Sequence, residues 1–71
     1  MKMEKVQELL NKWGELIIYT SGGQVFEIHI GDTQFDTENR LIHLQGPDSK
    51  YVIDGDSIEV VKQHYGHQEE S

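Results

Sequence analysis

Hydrophobic positions follow two periodicities along the chain. From Met3 to Trp13 the apolar residues Met3, Val6, Leu9, Leu10 and Trp13 recur at helical spacing with Glu4, Lys5, Glu8 and Lys12 between them. Such a stripe predicts an amphipathic helix over about 3–13. Glu8 precedes Lys12 by four residues, the favourable orientation for an ion pair. Gly14 follows the last apolar position, where a glycine ends a helix. An isolated helix of this length is marginal in water, so its stripe must dock on a sheet or on another subunit.

From Leu16 onward the period becomes two. Residues 16–20 are β-branched and aromatic, residues 24–30 alternate apolar with polar, and Ser21-Gly22-Gly23 lies between them. This pattern predicts a tight hairpin with Ser21 opposite Gln24. Tyr19 would then face Phe26 and Ile17 would face Ile28, while Leu16 and Ile18 turn to the other side. Phe35 has the wrong parity to join Phe26 unless one residue is inserted, and Gly31 is the natural bulge. With Phe35 opposite Arg40 across a loop of residues 36–39, the predicted inner face is Phe26, Ile28, Ile30, Thr33, Phe35, Ile42 and Leu44. The outer face carries Glu27, His29, Asp32, Gln34, Leu41, His43 and Gln45.

Gly46-Pro47-Asp48-Ser49 is a turn by composition. Two more strands, 50–53 and 57–61, flank Asp54-Gly55-Asp56, and pairing Asp54 with Ser57 puts Tyr51, Ile53, Ile58 and Val60 on one face. The periodicity then stops. The expected organisation is one small domain over 1–62, with strands within about 15–61, and a flexible acidic tail over 63–71. The expected fold class is mainly β with an N-terminal helix, as a small five-stranded antiparallel barrel or rolled sheet.

Seventy-one residues allow a single small core, and the absence of cysteine removes disulfides and thiolate metal sites. Stability must come from tight packing or association. No apolar run approaches a membrane span and the first residues lack a signal-peptide core, so the expectation is no membrane contact and a cytoplasmic location. Thirteen acidic against six basic residues give a net charge of −7, which disfavours nucleic acid as a partner. The acids read as a solvated surface.

A helix followed by five short bent strands over about 3–61 resembles the Sm-like fold. Phe35-Asp36 looks like the aromatic-acid pair of that family's first motif, and Ile53-Asp54-Gly55-Asp56-Ser57-Ile58 is similar to the glycine turn of its second. The resemblance implies a small barrel that binds RNA in the loop after the second strand. At the contact positions, however, this chain has Thr37 and Glu38, an Asn39 one residue early, and Asp54 where the family has a basic residue. The stacking and charge-assisted contacts that hold single-stranded RNA are missing. By pattern, residues 35–61 are also similar to the YabP-type sporulation proteins.

No catalytic constellation emerges. Ser21, Ser49 and Ser57 have turn or strand explanations, Gly22-Gly23 is too short to cradle phosphate, and Asp54 and Asp56 belong to a turn. The chain is therefore read as a non-enzyme without a cofactor. Histidine is the one enriched reactive type. His29 and His43 share the outer face with Asp32, a candidate two-nitrogen, one-oxygen metal set, although paired strand histidines are more often ordinary polar-face residues. His64 and His67 are spaced for a helical pair, but Gly66 opposes a helix there. Outward-facing Leu16 and Ile18, together with Val6, Leu10 and Trp13 of the helix, are the predicted interface of a homo-oligomer. The expected function is a non-enzymatic protein-interaction or oligomerisation module. The alternatives are an Sm-like RNA-binding protein and a histidine-based metal-binding accessory protein.

Overall fold

In the computed structural model, which describes residues 1–63, the chain runs as one helix, α1 (Met3–Trp13), and six strands. The strands are β1 (Glu15–Thr20), β2 (Val25–His29), β3 (Thr33–Asp36), β4 (Leu41–Gln45), β5 (Lys50–Asp54) and β6 (Ile58–Gln63), with a 3-10 turn at Ile30–Asp32 between β2 and β3. They form two three-stranded antiparallel sheets, ordered β2-β1-β6 and β3-β4-β5. The mainly β character with an N-terminal helix agrees with the sequence pattern. The five-stranded barrel does not. The expected second strand is interrupted at Ile30–Asp32 and becomes two strands in different sheets, and among the described residues no ladder closes the sheets into a barrel.

The first hairpin is shifted by one residue from its predicted register, which exchanges its two faces. Thr20, rather than Ser21, meets Gln24: Thr20 N donates to the Gln24 carbonyl at 2.8 Å and Gly23 N to the Thr20 carbonyl at 3.0 Å. The loop thus holds three residues, with Gly23 at φ 88°, the left-handed position that closes a turn followed by a glycine bulge. Leu16 then pairs with Ile28 and Ile18 with Phe26. Leu16 and Ile18, expected to project outward, are fully buried.

A second bulge corrects another face. β6 pairs with β1 up to Val60 opposite Tyr19, but the next pair is Thr20 with Ile58, so Glu59 is extra. Ile58 is fully buried while Val60 is 49% exposed. Tyr51 is also exposed, and its expected face with Ile53, Ile58 and Val60 does not form, because β5 pairs with β4 and β6 with β1. By contrast, β3 and β4 slip by two residues from the expected register, with Phe35 opposite Ile42 rather than Arg40. A slip of two preserves parity, so Thr33, Ile42 and Leu44 are buried as predicted and Phe35 packs against them. Ile30, expected inside, is turned out by the 3-10 turn.

The helix covers the core from one side. Met3, Val6 and Leu10 are buried, Leu9 and Trp13 pack at the margin, and α1 lies against β1 and β6. Gly14, at φ 87°, ends the helix by donating its N–H to the Leu10 carbonyl at 2.7 Å. The helix is marginal alone, and its buried stripe supplies the stability that propensity does not. Lys5 pairs with Glu8 at 3.6 Å in place of the expected Glu8 and Lys12 pair. No helix among the described residues is long and apolar enough to cross a membrane. The expected acidic tail begins at Gln63, which ends β6; the rest of it lies outside the described residues.

Two glycines make opposite predictions. A Cβ on Gly55 would stand 2.1 Å from Met3 Sδ and 2.9 Å from the Arg40 carbonyl, so the helix start and the β3–β4 turn close directly onto this residue. Gly55→Ala should destabilise the chain by about 1–3 kcal/mol in denaturant melts, the range of an overpacked core. Gly31, expected to be the bulge, has no atom within 4 Å of its Cβ position and no positive φ. Gly31→Ala should shift the same melt by less than about 0.5 kcal/mol.

Candidate functional site

Among the described residues, three places gather chemistry-bearing side chains. The first is the end of the β1–β2 ladder, where Glu15 is directly opposite His29, and Glu27, two residues earlier on β2, shares its face. His29 Nε2 lies 3.1 Å from Glu15 Oε1 and 3.5 Å from Glu27 Oε2. On the other side of the ring, His29 Nδ1 is 3.1 Å from Asp32 Oδ2. Asp32 is itself held: its Oδ1 accepts from His29 N at 2.9 Å and from Thr33 Oγ1 at 2.7 Å. Desolvation pushes the Asp32 carboxyl up, but these hydrogen bonds outweigh it and hold the group below the usual range.

The structure therefore brings His29 and Asp32 together but does not gather the predicted trio. Among the described residues, the set of potential metal ligands whose atoms converge is Glu15, Glu27 and His29. His43 lies opposite Gln34 and Val52 in the other sheet. It shares with Asp32, Gln34 and Lys50 the lining of a depression of about 280 Å³, and its Nδ1 is buried without a hydrogen-bond partner. Sequence reasoning missed Glu15 because the assumed register placed it away from His29. The true register sets the two face to face.

The second place joins three distant segments. Arg40, at φ 61° in the β3–β4 turn, donates Nε to Asp56 Oδ2 at 3.0 Å and Nη2 to Asp56 Oδ1 at 2.8 Å. The same guanidinium binds both oxygens of Glu4 on the first turn of α1. Asp56 Oδ1 also accepts the Met3 backbone N–H at 3.2 Å, satisfying a donor at the helix start that Lys2 cannot cap. The fork of one arginine on two carboxylates is a clamp between α1, the β3–β4 turn and the β5–β6 turn. Hydrogen bonds from Arg40 hold the Glu4 carboxyl at about 2 and the Asp56 carboxyl below its usual range.

The third place is an open groove of about 600 Å³ between β2 and β5, lined in part by Val25, Phe26, Tyr51, Val52 and Asp54. Phe26 and Tyr51 meet across it with ring centroids 5.3 Å apart and planes at 60°. Both strands are sheet edges. Four of the five predicted interface residues, Val6, Leu10, Leu16 and Ile18, lie in the chain's own core instead, and Trp13 packs against it. Among the described residues, the exposed large apolar side chains are elsewhere: Met1, Val25, Ile30, Tyr51, Val52 and Val60.

Compared with family models, curated proteins and solved structures, the chain matches none. The resemblance to Sm-like and YabP-type proteins is one of sequence pattern.

The clamp predicts an acid-sensitive helix. Glu4 binds fewer protons when folded than when unfolded, because its carboxyl is held at about 2 against an ordinary 4.5. Its contribution to stability is complete above about pH 4.5 and is lost as the pH falls towards 2. Because the pair is exposed, salt weakens it. Arg40→Ala should raise the midpoint of acid unfolding and flatten its salt dependence, measured by circular dichroism at low and high ionic strength. An unchanged midpoint would remove the clamp from the account.

Proposed function

We propose that the chain is a non-enzymatic oligomerisation module that joins a second copy of itself through the free edge of β5. The observation that supports this reading is the strand's own sequence. Lys50-Tyr51-Val52-Ile53-Asp54 has β4 on one side and no strand on the other among the described residues. Val52, at its centre, is 57% exposed. Two such strands, set antiparallel about Val52, place Lys50 of each copy opposite Asp54 of the other. By alternation these residues and Val52 share one face, so the new ladder has an apolar centre and an opposite-charge pair at each end.

Each such cross-strand pair contributes about 0.2–1 kcal/mol, and the two-fold axis repeats every gain. The joined edge also removes an exposed apolar strand, which an isolated small domain would otherwise present for indiscriminate pairing. This edge replaces the α1 and β1 interface expected from sequence, of whose residues Val6, Leu10, Leu16 and Ile18 are buried in the core.

Light scattering coupled to gel filtration should give twice 8.2 kDa at micromolar concentration. Lys50→Asp alone places like charges at both ends of the ladder, as does Asp54→Lys alone, so each variant should run as a monomer. Mixed together they restore both pairs, and the mixture should recover the dimer. Monomeric wild type across the accessible concentration range, or a mixture that stays monomeric, defeats the reading.

The Sm-like alternative has Thr37, Glu38 and Asp54 at the positions where that family holds RNA. Fluorescence anisotropy with uridine-rich and adenine-rich oligomers should show no micromolar binding at physiological salt. A micromolar affinity that weakens with salt would favour the RNA reading.

A further inference from the structure

The cluster at the end of the β1–β2 ladder has the construction of a metal site. Glu15 Oε1, Glu27 Oε2 and His29 Nε2 each offer one ligand atom, and the three groups' ligand atoms lie within 4.8 Å of one another. Bonds of about 2.0–2.2 Å to a central ion require ligand atoms about 3–4 Å apart, so little movement closes the set. The three residues stand on adjacent antiparallel strands, with Glu15 and His29 in one cross-strand pair. Their backbone positions are fixed by the ladder, and Ile30 N donates to the Gly14 carbonyl at 3.2 Å just beyond it.

An ordinary surface ion pair needs nothing behind the histidine. Here Asp32 stands behind it, with Oδ2 3.1 Å from Nδ1. A carboxylate on Nδ1 favours the tautomer that carries its proton there and leaves the Nε2 lone pair for a ligand. Asp32 is fixed for the task by the His29 backbone N–H and the Thr33 hydroxyl.

We propose that Glu15, Glu27 and His29 bind one divalent transition-metal ion, with Asp32 as the residue that positions the imidazole. The His29 and Glu27 side chains are 42% and 46% exposed, so water completes the coordination. One imidazole and two carboxylates favour Zn²⁺ and Co²⁺ over Mg²⁺ and Ca²⁺, whose chemistry asks for oxygen alone. The site lies in the sheet that does not contain β5, so the proposal stands apart from self-association.

Calorimetric titration of the full chain with Zn²⁺ at pH 8 should show one ion per chain at micromolar affinity, with Mg²⁺ at least a hundredfold weaker. His29→Gln and Glu27→Gln, each checked for an unchanged amide spectrum, should weaken Zn²⁺ at least tenfold. His43→Gln should leave the affinity within twofold. Asp32→Asn replaces the acceptor at Nδ1 with an amide that can donate, which moves the imidazole proton to Nε2. It should weaken Zn²⁺ at least tenfold, and nitrogen-15 spectra of the zinc-loaded wild type should show His29 bonded through Nε2 with Nδ1 protonated. Zn²⁺ affinity no tighter than millimolar, affinity retained in folded His29→Gln or Glu27→Gln, or affinity lost in His43→Gln would each overturn the proposal. A zinc-loaded spectrum with His29 bonded through Nδ1 would do the same.

Discussion

Everything in this fold depends on which face of β1 is buried. β1 is the central strand of its sheet, and Leu16, Ile18 and Thr20 all point into the core. Their burial is possible because the loop before β2 has three residues and Gly23 takes a left-handed conformation. A two-residue loop would put Ile17 and Tyr19 inside. Fully burying one leucine or isoleucine is worth about 1.5–3 kcal/mol, and the arrangement formed gains this for both Leu16 and Ile18. The helix stripe, Ile28 of β2 and Ile58 of β6 all pack against the face so chosen.

The second dependence is on the two crossings between sheets. At each, an aspartate side chain accepts backbone N–H groups that no ladder can use. Asp32 takes the N–H of His29 where β2 gives way to β3. Asp56 takes that of Met3 where β5 gives way to β6, and Asp54 takes that of Asp56 in the same turn. Asp36 does the same for Asn39 in the β3–β4 turn, where the Asn39 amide also holds the carboxyl below its usual range. Four aspartates therefore do the local work of shaping turns. Part of the net charge of −7, which composition alone assigns to a solvated surface, is a consequence of this turn chemistry.

That division explains what could be read from the residues and what could not. Elements were legible because periodicity is local: the 3.6-residue stripe of α1 and the alternation within each strand survive any error of pairing. Faces were legible only where the register error was even. β3 and β4 slipped by two and kept Ile42 and Leu44 inside, while β1 and β2 slipped by one and exchanged the faces of Leu16 and Ile18. Ser21-Gly22-Gly23 is compatible with a loop of two or three residues, and nothing within the turn decides between them. The decision comes from long-range packing of Ile28 and Ile58 against β1. The same slip hid Glu15 from His29, so the polar cluster at the end of the β1–β2 ladder was half visible: His29 and Asp32, three residues apart, could be named, but their cross-strand partner could not. The Arg40 clamp was invisible for the same reason, since Glu4, Arg40 and Asp56 have no local pattern in common.

The polar clusters also fall where the two-sheet arrangement needs support. Two three-stranded sheets that do not close leave the joint between β2 and β3 to a single 3-10 turn, and a turn of three residues has little hydrogen bonding of its own. His29 and Asp32 bridge that turn from end to end, through both backbone and side chain. Glu15 and Glu27 tie His29 back to the sheet that contains β1. The opposite crossing has Arg40 between Glu4 and Asp56, a fixed cation that cannot lose its proton. One joint of the molecule is therefore held by an arginine fork and the other by an imidazole between carboxylates. In a chain with a small core and no cysteine, both joints between the sheets rest on side-chain hydrogen bonds and ion pairs where no ladder among the described residues spans them.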